Sequence, residues 1–348
     1  MTNGVCDGGE WCSTTNPGVA SNPTCTYNVP GVAADGTFDA YVYVVDQYNT
    51  PSESATQGTN SSFTINNTAP VVSNVTLNGG NAILPEEATT KSIPVTATVT
   101  DTNGCSTTEV TNVYAYVYRS GVTYTGCDTA AETNNNYCYA EVACTQDNAS
   151  CNAGTGAATY TCSITMQYYA DPTDTGTQHD TENWLASVKA IDDDSASGNT
   201  EITTGVELNS LVAFSVQDSI NYGSLGVGQA NDPLDRTLIT TATGNVGLDQ
   251  EHSGSANMCT DYPSCNTPGG TPIAVTNQKY ALTGVAYASG TTLTTTPTEI
   301  ELNIPKVTTA SATTGTTYWG ISIPTGTVSG TYNGANTITA VKGEIADW

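Results

Sequence analysis

Basic residues are nearly missing from this chain. Seven Lys and Arg stand against 33 Asp and Glu in 348 residues, a formal net charge of -26. Phosphate binding needs clustered cations, so a nucleic-acid partner is excluded, and docking on an anionic membrane surface is disfavoured for the same reason. Only 11% of residues are charged, so the imbalance comes from scarce bases and not from the flood of acids of a disordered acidic tail. Two His leave little for imidazole catalysis, and His179 and His252 sit far apart, outside any nucleophile motif. No C-x-x-C knuckle occurs. No Gly-rich loop follows a strand and opens a helix; Gly223, Gly226 and Gly228 lie in a β context. No carboxylate pair stands out as glycosidase-like. These absences point away from an enzyme. No apolar run approaches transmembrane length, and Met1 is followed by neither a basic start nor an apolar core. Targeting and anchoring parts are therefore expected outside this stretch, in a processed or longer polypeptide.

What fills the space is Thr, Asn, Ser, Gly and 19 Tyr, with 37% hydrophobic residues, enough for small cores. Eleven Cys without metal-knuckle spacing read as disulfides, which places the chain in an oxidising compartment: extracellular or at the cell surface. Helical periodicity is almost absent. Period-two alternation recurs instead, over residues 38–45, 93–100, 113–118, 160–166, 184–191, 299–304, 318–323 and 337–341, with Gly, Pro, Asn and Asp clusters between. Many short strands with turn signals predict an all-β chain of sandwich modules.

Residues 38–46 (FDAYVYVVD) align with 184–192 (WLASVKAID). Cys6, Cys12 and Cys25 fall near Cys144, Cys151 and Cys162, and residues 62–65 (SFTI) match 213–216 (AFSV) as a final strand. The repeat divides the chain into a partial module at 1–68, a Cys-rich module at 69–217 and a C-terminal module at 218–348. The first has almost nothing ahead of Cys6. Its missing half is expected from upstream chain or from a neighbouring molecule, either of which would bury residues 38–45. The Thr-rich stretch 307–317 reads as a loop.

The segment 67–76 (NTAPVVSNVT), its spacing to 190–194 (AIDDD) and the closing strand at Phe214 resemble immunoglobulin-like repeats of bacterial surface proteins. Residues 220–228 (INYGSLGVG) with 243–248 (TGNVGL) resemble another such module. The resemblance implies tandem immunoglobulin-like β-sandwiches in a surface layer, stalk or filament, without enzymatic activity. A Lys–Asn isopeptide bond, found in some domains of this kind, needs a buried Lys beside an acid. Lys189 lies within a strand, and facing solvent is its plainer reading.

The acidic loops of the second module are candidate Ca²⁺ ligands: Asp101 with Asn103, Asp171 with Asp174, Asp180 with Glu182, and above all Asp192, Asp193 and Asp194, which directly follow a strand. Ca²⁺ takes six to eight hard oxygens, and loops at one end of a sandwich converge. Solvated acidic turns are the plain alternative. Glu86 and Glu87 fall near a module boundary. Among the disulfides, Cys259 with Cys265 is expected because the last module holds no other Cys. Cys144 with Cys162 fits a cross-hairpin bond, with Cys144–Cys151 as its rival, and Cys127 and Cys138 are also taken as bonded. The Tyr stripe 114, 116, 118 reads as a half-buried sheet face, with subunit contact as the alternative. Four Asn-x-Ser/Thr acceptors, at Asn60, Asn66, Asn74 and Asn148, arise readily by chance in such a composition.

The combined reading is an extracellular structural protein, a self-assembling homo-oligomer or polymer subunit of a cell-surface layer or filament. An adhesin that binds glycan or surface protein through its loops is the alternative, and an accessory region of a secreted hydrolase is the second. Calcium is the one cofactor considered.

Overall fold

The alternating segments become strands because β-branched and aromatic side chains pack on a pleated surface. In the computed structural model the described residues are 31–40, 61–147, 150–266 and 271–348. Cys6, Cys12, Cys25, residues 41–45, Asn60 and Asn148 lie outside them. The described part is all-β, with only short 3-10 turns besides strands.

Strands β1 (Gly36–Ala40) and β2 (Ser61–Ile65) form an antiparallel pair in which Phe38 faces Phe63, ring centroids 5.6 Å apart. Seven strands follow: β3 (Val71–Leu77), β4 (Thr90–Thr100), β5 (Val110–Arg119), β6 (Cys138–Gln146), β7 (Ala157–Gln167), β8 (Trp184–Asp192) and β9 (Ser197–Glu201). They pair in the order β3-β4-β7-β6-β5-β8-β9, all antiparallel. The corner is β6. Its Cys144–Gln146 end pairs with β7, and its Cys138–Ala143 end pairs with β5. A bulge with Glu141 at φ 51° interrupts the half paired with β5, between Tyr139 and Val142. The sheet thus folds over, and the far edges meet where Thr200 Oγ1 donates to the Val72 carbonyl at 2.7 Å. Alternate residues of β4 and β7 (Val95, Ala97, Val99, Tyr160, Ile164) face those of β5 and β8 (Val113, Ala115, Trp184, Val188) in one buried core.

The C-terminal strands are β10 (Phe214–Val216), β11 (Arg236–Ala242), β12 (Leu248–Cys259), β13 (Gln278–Ala281), β14 (Thr291–Thr292), β15 (Thr298–Ile304), β16 (Thr314–Ile321) and β17 (Asn333–Lys342). One sheet runs β10-β11-β16-β13-β14 and the other β15-β12-β17. Leu238, Tyr280, Trp319 and Ile321 fill the space between, with Met258, Ile300 and Ile338 packed against them.

Two expectations need correction. Of residues 213–216, expected to close the second module, Phe214–Val216 form β10 and pair with β11 of the C-terminal sheet. Alternation marks a strand but carries no information about which sheet it joins. The supposed loop 307–317 is strand from Thr314, because its β-branched Thr side chains register against β11, Thr241 opposite Thr314 and Ile239 opposite Thr316.

The Tyr stripe is covered by the chain itself. Tyr116 and Tyr118 are buried beneath residues 120–137, with Tyr124 edge-on to Tyr116 and the Cys127–Cys138 disulfide beside them. Cys144 and Cys162 stand directly opposite on β6 and β7 and are bonded. Cys259 is bonded to Cys265, and Cys151 to Cys105 and not to Cys144.

The two sandwiches meet in an apolar, ion-paired joint. Tyr168 and Tyr169, at the end of β7, pack with Val246, Leu248, Ile304 and Val307 of the C-terminal part. Lys306 reaches across. Its Nζ lies 3.0 Å from Asp171 Oδ1 and donates to the Tyr169 carbonyl at 2.8 Å and to Asn136 Oδ1 at 3.1 Å. Arg119 Nε lies 3.2 Å from Asp171 Oδ2, and its guanidinium also pairs with Glu182. Glu87 accepts from Thr243 Oγ1 at 2.6 Å, and the Ala88 N–H donates to the Thr243 carbonyl. The buried Lys beside an acid is therefore Lys306, whereas Lys189 on β8 is half-buried. Removing one partner of such a pair strands the other charge. Asp171→Ala is expected to lower the unfolding free energy by about 3–5 kcal/mol, measured by urea denaturation. An effect below about 1 kcal/mol, the usual worth of an exposed ion pair, would place Lys306 in solvent.

His252 on β12 is fully buried against Tyr280 and Trp319, ring centroids 4.7 and 5.1 Å away. Gln250 donates through Nε2 to Thr240 Oγ1, so its Oε1 accepts from His252 Nε2–H at 3.0 Å, and Nδ1 has no partner. Burial pushes the imidazole down from 6.5 to about 4. The unfolded chain therefore binds a proton that the folded chain refuses between these values. The contribution of His252 is complete above pH 6.5 and is lost as pH falls toward 4. In urea titrations at several pH values, wild type is expected to lose on the order of 3 kcal/mol more than His252→Gln across that window. Parallel pH profiles would contradict it.

Candidate metal centre

At the end of the seven-stranded sandwich away from the joint, four chain segments converge: the stretch before β1, the linker 66–70, the β4–β5 loop and the β8–β9 turn. The local framework is rigid. The Asp101 N–H donates to the Gly156 carbonyl, and a Cβ on Gly156 would lie 1.9 Å from the Asp101 carbonyl oxygen, so only glycine lets the β6–β7 loop approach. The Cys105–Cys151 disulfide ties the same two loops, and Gln146 Nε2 donates to the Cys105 carbonyl at 2.6 Å.

Asn103 stitches the linker to this frame. Its Oδ1 accepts from the Thr68 N–H at 2.8 Å, and its Nδ2 donates to the carbonyls of Ala33 and Asn66 at 3.2 and 3.3 Å. Asp101 Oδ1 accepts from the Asn103 N–H at 2.7 Å. Asp192 Oδ1 accepts from the Ala196 N–H at 2.7 Å, closing the turn after β8, and Oδ2 accepts from Asn67 Nδ2 at 3.0 Å. Beyond this hydrogen-bonded layer, carboxylate oxygens of Asp35, Glu109 and Asp193 lie within 4.8 Å of one another.

Opposed oxygens on a Ca²⁺ ion stand about 4.8 Å apart, twice its metal–oxygen distance. One ion would therefore fit between the three carboxylates. Two further observations point the same way. Glu109 is 8% exposed and Asp101 1% exposed, yet Glu109 Oε1 and Asp101 Oδ2 are buried without a hydrogen-bond partner. Burial, with Asp193, Asp101, Asp35 and Asp192 around it, pushes the Glu109 carboxyl up to about 7. Burial above all, then the acidic neighbours, raises Asp101 as well. A hard divalent cation between the three carboxylates would supply the missing partner to Glu109.

The sequence-predicted residues divide. Asp193 belongs to the cluster. Asp192 orders the turn and the linker. Asp194 is exposed and raised by its hydrogen bond with Asp35. Asp171 and Asp174 do not join them. Trp184 Nε1 donates to the Asp171 carbonyl at the start of β8, and Asp192 ends that strand, about 26 Å away at 3.3 Å per residue. Asp171 is held by Lys306 and Arg119, and Asp174 Oδ1 accepts from Ser210 Oγ at 2.7 Å. Asp35 and Glu109 went unrecognised because each stands alone in the sequence, in no acidic run.

No family model matches this chain, and no curated protein sequence matches it.

Calcium at saturation is expected to raise the unfolding free energy, by about 2.7 kcal/mol at a hundredfold excess over the dissociation constant. Glu109→Gln should lose the increment due to this cluster while being at least as stable as wild type in chelator at neutral pH, because the costly buried charge is gone. A calcium response identical in the two proteins, followed by thermal melts at low salt, would remove the ion from this cluster.

Proposed function

We propose that the chain is an extracellular structural subunit built of tandem immunoglobulin-like sandwiches, stiffened at its module junctions and assembling into a surface layer or filament. The observation that carries this reading is the way consecutive modules are fastened. Lys306, Arg119 and Asp171 bind the C-terminal sandwich to its predecessor across a shared apolar cluster. Asn67, Asn103 and the acidic cluster bind the preceding β1–β2 segment at the opposite end. A chain fastened at both ends of a module transmits load and holds a fixed spacing, which a lattice or filament needs and a freely hinged binding array does not.

The strand order supports the immunoglobulin-like part. Strands β3-β4-β7-β6 facing β5-β8-β9 reproduce the A-B-E-D and C-F-G sheets of a constant-type domain. Four disulfides among the described residues fit an oxidising, extracellular setting, and no helix among them is long and apolar enough to cross a membrane. A net charge of -26 keeps subunits apart until specific contacts form.

Electron microscopy of native surface material and of purified protein in calcium should reveal ordered arrays or filaments of one repeat spacing. Dispersed single particles at high concentration, together with tight binding on a glycan array, would replace the structural reading with the adhesin one.

A further inference from the structure

A second group of acids gathers in the C-terminal sandwich, apart from the cluster at Asp35, Glu109 and Asp193. Asp249, the second residue of β12, is 0% exposed. Strand β15 bulges opposite it: Leu248 pairs with Ile304 and Gln250 with Ile300, so residues 301–303 crowd against a single residue. The bulge, with Asn303 at φ 51°, aims the Asn303 N–H at Asp249 Oδ1, 2.8 Å away. Asp249 Oδ2 is buried and has no hydrogen-bond partner. It faces Glu344 and Asp347, and carboxylate oxygens of all three lie within 4.8 Å of one another. Asp347 Oδ2 is likewise buried and unpartnered.

Nothing basic answers this charge. Among the described residues none of the three carboxylates takes part in a salt bridge. The two nearby lysines are engaged elsewhere: Lys306 Nζ at Asp171, and Lys342 Nζ with Ser210 Oγ at 3.2 Å and over the Trp348 ring at 5.0 Å. Burial first, then Glu344 and Asp347, raises the Asp249 carboxyl, and Glu344 and Asp249 raise the exposed Glu301 at the rim. The backbone is nonetheless shaped to bring these acids together. A Cβ on Gly247 would stand 2.7 Å from Asp347 Cβ, so the closing segment fits against β12 only over a glycine. Lys306 N–H donates to the Asp347 carbonyl, and Gly343 N–H to the Gly247 carbonyl. Like charges so placed, one of them fully buried, are neutralised either by a proton or by a cation, and all the donors here are the hard oxygens that calcium takes.

We propose that Asp249, Glu344 and Asp347 form a second divalent-cation site of calcium chemistry, which fastens the closing segment 343–348 onto the C-terminal sandwich. The ion acts at a distance of one residue on Trp348, which packs into the apolar cluster shared with Tyr168 and Tyr169. Occupancy of this site therefore stiffens the joint between sandwiches next to Lys306, whose N–H already holds the Asp347 carbonyl. The site stands independently of the cluster at Asp35, Glu109 and Asp193.

The test uses the full chain with terbium as a calcium surrogate, excited through tryptophan. Trp348 adjoins the site, so sensitised terbium emission is expected, displaced by calcium. The double variant Glu344→Gln/Asp347→Asn should weaken this binding by about tenfold or more, and the isosteric Asp249→Asn should do the same. Far-UV circular dichroism should match wild type, and in chelator neither variant should melt below wild type, because like-charge repulsion is relieved. Glu109→Gln should retain the emission, and Trp348→Phe should lose it while calorimetry still counts the ion. Emission that survives both Asp249→Asn and the double variant would overturn the site. So would a wild-type calcium stoichiometry equal to that of the double variant.

Discussion

Carboxylates outnumber cations so heavily that each buried acid in this protein must find its counter-charge by special arrangement, and the architecture is organised by where that succeeds. Asp171 receives two of the chain's seven Lys and Arg side chains, Arg119 and Lys306. Both come from sequence-distant positions, and Lys306 comes from the other sandwich. Burying two cations is costly unless their hydrogen bonds are met. Here the Lys306 ammonium is met by one carboxylate, the carbonyls of Tyr169 and Val307 and the Asn136 side chain. The Tyr168–Tyr169 contact with Val246 and Leu248 depends on that closure, because without it the apolar faces would sit over an uncompensated charge.

At the other acidic gatherings the chain spends no cation. Around Glu109 and around Asp249 the backbone is tightened by close-approach glycines, a disulfide or a bulge, and buried carboxylate oxygens are left unpartnered. Both places lie where a segment must be held against a sandwich: the linker 66–70 in one case, the closing residues 343–348 in the other. A borrowed divalent cation would do there what Lys306 does at the joint. The fold thus meets this electrostatic problem from within at Asp171, and at Glu109 and Asp249 the proposed cations would meet it from solvent.

Disulfides and tyrosines serve a related end. The sandwiches hold few large apolar side chains, and each cross-link is worth roughly 2–4 kcal/mol. Cys144–Cys162 spans the β6–β7 pair beside the corner where β6 changes sheets, and Cys127–Cys138 pins the loop that covers Tyr116 and Tyr118. A sheet face rich in Tyr is thereby buried within the molecule, with Tyr118 donating its hydroxyl to Glu201.

Most strands were legible from alternation alone, because a strand's two faces are written at period two whatever it pairs with. The cross-hairpin position of Cys144 and Cys162 was legible for the same reason: two alternating runs flank a turn. Asp193 was readable as an acid at a strand end. What alternation could not carry was partnership. It did not say that residues 213–216 leave the second module for the C-terminal sheet, that Cys151 reaches back to Cys105, or that isolated acids such as Asp35, Glu109 and Asp249 end beside others. Local sequence determined the all-β character, the shortage of positive charge and the cross-linking chemistry, since these follow from residue type and spacing. Only the tertiary structure decided which carboxylates meet a cation and which meet one another, because that depends on strand register and loop convergence between residues far apart in the chain.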